Sequence, residues 1–151
     1  MKINYKINKK NHSVIFCKDR KESFYILKRL KLENTDKKIL VIFDNRLKNY
    51  ASKLVSGLKR NNFQIYSIKL NSNKRNKTEK AVFKILDKLI KNQFTKKSVI
   101  ISCGGGVIGD VSALASSLYL RGLIYYHIPT TMTSLVDSCI GGKTGINYKN
   151  I

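Results

Sequence analysis

The stretch Ser98–Asp110, SVIISCGGGVIGD, decides the reading of the fold. Ser98–Ser102 is a short continuous apolar run of the kind that parallel sheets bury on both faces. Three glycines follow directly, then Val107-Ile108-Gly109-Asp110. Consecutive glycines let the backbone approach a ligand closely and present free N–H groups, and the N-terminus of the following helix adds partial positive charge. That combination suits a pyrophosphate. A tight strand-to-helix turn with no ligand has the same composition, so the motif alone does not separate the two. We read it as a glycine-rich phosphate turn outside the standard Rossmann fingerprint.

Outward from this turn, strands and helices alternate. Lys38–Phe43 (KILVIF) is a second continuous apolar strand, ended by Asp44-Asn45. Leu47, Tyr50, Ala51, Leu54, Val55 and Leu58 then recur at helical spacing. Phe63–Leu70 reads as a strand, Leu70–Lys77 as a polar loop, and Val82, Ile85, Leu86, Leu89 and Ile90 as the apolar face of a helix. Downstream, a helix is expected from about Asp110 to Tyr119, a strand over Leu123–Ile128 stopped by Pro129, and a short helix over Met132–Val136. Near the N-terminus, Lys2–Ile7 and Ser13–Cys17 read as strands across the polar stretch Asn8–His12, which holds His12 in a turn; Glu22–Leu32 reads as a helix. The alternation predicts an α/β fold, a Rossmann-like parallel sheet with helices on both faces, forming one domain over residues 1–151.

Composition narrows the function. No run of 18 apolar residues exists, and the N-terminal apolar stretch is too short for a signal peptide, so a cytoplasmic location is the default expectation. Cys17, Cys103 and Cys139 are odd in number, widely spaced and without CxxC, which argues for free thiols. The net charge of +21 resembles a nucleic-acid signal, but it comes from 24 Lys against 6 Arg, with Asn and Ile also abundant. An AT-rich coding bias on permissive surface positions explains that pattern, and sequence-specific nucleic-acid binding is not expected.

Several residues carry chemistry. Gly141-Gly142-Lys143-Thr144 lacks the spacing and the preceding strand of a P-loop, yet Lys143 between close-approach glycines suits a phosphate or carboxylate. Pro129-Thr130-Thr131 follows a strand end, where open α/β sheets bind ligands; its hydroxyls equally suit a helix cap. Asp44, at another strand end, suits a ribose hydroxyl or an N-cap in equal measure. Asp110 is expected in the first helical turn, capping it or meeting a ligand. His127, mid-strand, reads as structural, and no cluster has the spacing of a metal site.

Taken together, GGGVIGD, YLRG, IPTT, VDS and GGKTGIN resemble the 3-dehydroquinate synthases, within the sugar phosphate cyclases, in order and spacing across Gly104–Asn147. The resemblance implies an N-terminal NAD-binding α/β domain followed by an α-helical domain that holds a divalent metal, zinc or cobalt; the helical domain is not in this sequence. It implies closure of a seven-carbon sugar-acid phosphate, DAHP, to 3-dehydroquinate with loss of phosphate, a step in aromatic amino acid synthesis. By motif match, Gly105, Gly106, Val107, Ile108, Gly109, Asp110, Thr130 and Thr131 would bind NAD, with Asp44 at its ribose. Asp137 and Lys143 would contact substrate or nicotinamide as the catalytic pair. Lys77 matches the lysine of a GExxK loop and would face cofactor and substrate. Arg121 would reach the substrate phosphate of a neighbouring subunit, since the family is dimeric. The GExxK glutamate reads Lys74 here, a charge reversal against the cofactor.

On this reading the chain is a fragment, ends before the Glu and His metal ligands, and is inactive alone; a separate chain carrying the metal domain would make it a split enzyme. Competing readings are an iron-containing alcohol dehydrogenase or glycerol-1-phosphate dehydrogenase, whose match fails at VDS and GGKTGIN, another cyclase such as a deoxy-inosose synthase, and a decayed basic binding module.

Overall fold

The computed structural model describes residues 2–7, 10–17, 35–140 and 144–149. The expected helix over Glu22–Leu32 and the Gly141-Gly142-Lys143 segment lie outside them. The chain divides into two compact units, Met1–Lys31 and Leu32–Ile151. In the first, β1 (Lys2–Ile7) pairs antiparallel with β2 (Lys10–Ile15), placing Tyr5 opposite His12. The hairpin is thus tighter than expected, and His12 belongs to a strand rather than a turn.

The second unit is a four-stranded parallel sheet in the order β4-β3-β5-β6, built from β3 (Lys38–Asp44), β4 (Gln64–Leu70), β5 (Val99–Gly104) and β6 (Ile124–Pro129). The apolar runs take the central places: β5 is buried at every residue and β3 nearly so. α1 (Lys48–Lys59) packs on β3 and β4. α2 (Glu79–Lys91) and α3 (Gly106–Leu118) pack against each other. Their Val82, Ile85, Leu89, Ile108, Val111 and Ala115 form one core with Leu40, Ile42 and Ile100. Ile39 and Val41 alternate to the opposite face. The helices therefore flank both faces, as expected.

This distribution follows from right-handed crossovers. From β3 the chain moves one way to β4, then back across β3 to β5 and onward to β6. The reversal puts α1 on one face and α2 and α3 on the other. It leaves a crevice between the carboxyl ends of β3 and β5, the place where open α/β sheets bind ligands.

Local departures have physical reasons. α3 begins at Gly106, four residues before the expected Asp110, because packing against the sheet outweighs the poor helix propensity of glycine. The polar loop holds a 3-10 turn at Lys74–Asn76, capped by the Asn73 side chain, which accepts from the Arg75 N–H. The expected helix at Met132–Val136 becomes a π-helical turn over Ser134–Ser138. Ile85 is fully buried between sheet and helices. Ile85→Ala is expected to cost about 2–5 kcal/mol of stability, read from urea unfolding. A loss under roughly 1 kcal/mol would show that this core is loosely packed.

Candidate functional site

The site grows from the turn between β5 and α3. Gly104, Gly106 and Gly109 stand at G-x-G-x-x-G spacing after a strand and into a helix, so the fingerprint excluded from sequence is in fact met. The three play different parts. A Cβ on Gly104 would lie 2.7 Å from Ile108 Cγ1, and one on Gly109 would lie 2.9 Å from His127 Nε2. Both therefore need glycine for packing, one for the tight turn and one for the approach of helix to strand. A Cβ on Gly106 would meet nothing nearer than Ser138 Oγ at 3.9 Å. Its open face is where a ligand can approach the backbone.

No side chain caps the start of α3. Its first N–H groups lack intrahelical acceptors by construction, and a pyrophosphate would supply them. Of the residues expected to bind there, Ile108 is buried in the core, and the Gly109 N–H is spent on Gly105 O at 3.0 Å. Gly106, Val107 and Ile108 keep their amides for a ligand.

The neighbouring segments are tied to this turn. Thr130 N–H donates to Gly104 O at 3.0 Å, and Thr131 Oγ1 accepts from Ser134 N–H at 3.2 Å, so Thr131 caps the 132–138 turn. Asp110 lies beyond the first turn of α3 and does not cap it. Instead it pairs with Lys77 at 2.6 Å, which joins two residues expected at the ligand. Asn147 N–H donates to Lys77 O at 2.7 Å, and Thr144 Oγ1 donates to Asp110 O at 2.5 Å. Three distant segments thus meet around Asp110. A cavity of about 910 Å³ opens between the 69–81 segment and the start of α3, its charged lining being Lys69, Lys74, Arg75, Lys80, Lys84 and Lys149 against Glu79.

Asp44 ends β3 beside Gly104. Its carboxylate accepts from Arg46 N–H and Nε at 3.0 and 3.3 Å and from Arg46 Nη2 at 2.9 Å; Nη2 also reaches Ser72 Oγ. Burial pushes the Asp44 carboxyl up, but the bonds from Arg46 and Ser72 outweigh it and hold it below its usual value. Asp44 therefore caps the Asn45–Leu47 turn. Sequence reading missed Arg46, although an arginine two residues past an acidic strand end is the signal that could have found it.

Under α3 lies a chain of polar groups. Tyr125 Oη contacts Ser102 Oγ at 2.7 Å, Ser102 contacts His127 Nδ1 at 2.7 Å, His127 Nε2 contacts Ser134 Oγ at 2.9 Å, and Ser134 contacts Ser138 Oγ at 2.8 Å. Tyr125 Oη also donates to Gly109 O at 3.0 Å. The chain links β5, β6, α3 and the turn that carries Asp137, which is exposed. His127 is structural, as read from sequence, but its partners were not legible. Burial lowers its pKa to about 4 and raises that of Tyr125. Burial also raises the Cys139 thiol, so it is not an activated nucleophile.

Arg121 stands apart. It lies on the turn between α3 and β6, where Leu120, Arg121 and Gly122 all have positive φ (48°, 67° and 115°). α3 runs its full 13 residues, about 20 Å, from the glycine turn to that end. Lys143 falls outside the described residues. Among the described residues no three His, Cys, Asp or Glu side chains gather as a metal site, and no helix is long and apolar enough to cross a membrane.

The fold is that of the sugar phosphate cyclases. A 2-deoxy-scyllo-inosose synthase solved with carbaglucose-6-phosphate, NAD+ and Co2+ superposes with a TM-score of 0.83 at 18% identity, over 99% of this chain and 41% of that one. A 2-epi-5-epi-valiolone synthase from Streptomyces hygroscopicus subsp. jinggangensis, solved with NAD+ and Zn2+, gives a TM-score of 0.68 at 28% identity over 80% and 35%. The family model for the 3-dehydroquinate synthase N-terminal domain matches residues 67–151, and the chain belongs to that family. The 3-dehydroquinate synthase of Methylacidiphilum infernorum is 43% identical over 81% of this chain and 33% of its own length. That of Pelagibacter ubique is 42% identical over 74% and 30%. The chain spans about a third of the length of these curated relatives.

The His127 environment sets a pH dependence. Above about 6.5 the imidazole is neutral in both folded and unfolded chains. Between that value and the folded value of about 4, the unfolded chain takes a proton that the folded one refuses. Stability should therefore fall as the pH drops through this window, by on the order of 3 kcal/mol. Chemical unfolding of the native chain and His127→Gln across pH 4–7 checks this: the variant should show a flatter profile, and identical profiles would contradict the assignment.

Proposed function

We propose that residues 1–151 are the dinucleotide-binding domain of a 3-dehydroquinate synthase, which converts DAHP to 3-dehydroquinate and phosphate. The observation that carries this is the uncapped start of α3 behind a glycine triplet whose last member, Gly106, has an open face. It supports NAD with its pyrophosphate on the Gly106–Ile108 amides and its adenosine ribose toward Asp44. When bound, NAD takes up and returns a hydride, and the protein supplies position and charge. Thr130 and Thr131 hold the strand end against the glycine turn. The Lys77–Asp110 pair fixes a cation at the mouth of the site. Asp137 and Lys143 are proposed as the residues that meet the substrate, a sugar-acid phosphate suited to a lysine-rich surface. The described residues offer no donor set for a divalent zinc or cobalt, so no step through a metal is assigned to them.

A second copy of the chain completes the proposal. Arg121 projects from a left-handed turn about one helix length from its own site, and backbone strain of this kind persists where the surroundings demand it. Leu118, Leu120 and Ile124 are exposed around it. Together they support a homodimer in which Arg121 reaches the partner's substrate phosphate. A cytoplasmic location accords with the same reading.

The test is calorimetry with NAD. One-to-one saturable binding is expected from the chain. Gly106→Ala should keep the fold, because its Cβ meets open space, yet weaken NAD by tenfold or more, about 1.4 kcal/mol. Asp110→Ala and Lys143→Ala should weaken it as well. No binding at millimolar NAD by a folded sample would overturn the proposal.

A further inference from the structure

Resting on that cofactor site, we infer that Arg46 determines cofactor specificity, and that the site accepts a dinucleotide bearing a 2′-phosphate on its adenosine ribose as readily as one bearing a free hydroxyl. In dinucleotide folds an acidic residue at the end of the strand beside the glycine turn does two things: it accepts hydrogen bonds from the ribose hydroxyls, and it repels a 2′-phosphate. Asp44 holds that place, since β3 is the hydrogen-bonded neighbour of β5 and ends beside Gly104.

Its carboxylate is not presented to a ligand. The side chain is 6% exposed, and both oxygens accept from Arg46, one from N–H and Nε and the other from Nη2. Arg46 is the reverse: its side chain is 76% exposed, and its guanidinium is anchored on one edge by Asp44 and Ser72. A guanidinium fixed along one edge keeps its remaining donors in a rigid plane, the geometry that suits phosphate oxygens. The strand end thus offers a cation where a discriminating site would offer an anion.

The surroundings act in the same direction. The segment Lys69–Lys77, to which Ser72 belongs, carries Lys69, Lys74, Arg75 and Lys77 and no acidic residue. Only Lys77 of these is paired with a carboxylate among the described residues, through Asp110. Lys74 stands where the family resemblance places a glutamate. No carboxylate of this segment opposes an added phosphate, and the one that ends β3 is already neutralised.

The experiment is calorimetry of the whole chain with NAD and with NADP at near-physiological ionic strength. Arg46→Ala, Arg46→Gln and Lys59→Gln are compared with the native chain. Lys59 ends α1, and its variant controls for diffuse charge. The native chain should bind the two dinucleotides within about threefold of each other. Arg46→Ala frees the Asp44 carboxylate, so the ratio of affinities should move toward NAD by tenfold or more, through both a loss for NADP and a gain for NAD. Arg46→Gln can retain a hydrogen bond to Asp44 and so protects against loss of fold; it should move the ratio in the same direction. Lys59→Gln should leave it unchanged. NAD binding tenfold or more tighter than NADP in the native chain overturns the inference and leaves the cofactor site standing. So does a ratio that the Arg46 variants do not move. Failure of both dinucleotides to bind overturns the cofactor site itself, and the inference with it.

Discussion

The structure depends on how closely α3 lies over the ends of β5 and β6. Gly109 sits so near His127 that a methyl group would not fit between them. That approach brings the start of the helix to the end of a fully buried strand, with only Gly105 between the two. It also lets Tyr125, Ser102, His127, Ser134 and Ser138 form a continuous polar chain beneath the helix. The π-helical turn that carries Asp137 is then held to the same scaffold as the glycine turn. A binding surface made of backbone amides needs this rigidity, because amides have no side chain with which to adjust.

Acidic residues are scarce in this chain, and Asp36, Asp44 and Asp110 are all engaged. Asp36 accepts from Ser98, Thr95 and the Lys38 N–H, and these bonds outweigh burial to hold its carboxyl below the usual value. Asp44 holds Arg46, and Asp110 holds Lys77. The surface charge of +21 therefore says little about partners, while the few carboxylates mark the places where the fold and the site are pinned. On the proposed cofactor site, that charge bias would set Arg46 at the adenosine end.

Much of the architecture was legible because burial writes itself into composition. The runs KILVIF and SVIIS fell on the two central strands, and the helical spacing of Leu47–Leu58 and Val82–Ile90 fell on α1 and α2. Errors came where tertiary contacts overrule local preference. Glycine is a poor helix former, so local preference puts the start of α3 near Asp110; packing starts it at Gly106, which leaves Asp110 beyond the first turn and in a pair with Lys77. The GxGxxG spacing lay hidden in a glycine triplet whose middle member fills a variable position. The polar chain through His127 was not legible, because its members lie on β5, β6 and the turn beyond, and only parallel pairing aligns Ser102 with His127. Arg46 is one basic residue among thirty, and the fold is what sets it against Asp44 and Ser72.

The central claim is that the first amides of α3 form a pyrophosphate site. The most direct measurement is a titration of isotope-labelled chain with NAD, followed by amide resonances. The account predicts saturable shifts confined to Gly105–Ile108, Thr130 and the residues around Asp44, with Arg121 and the far end of α1 unmoved. Shifts spread over surface lysines without saturation, or none at Gly106 and Val107, would contradict it.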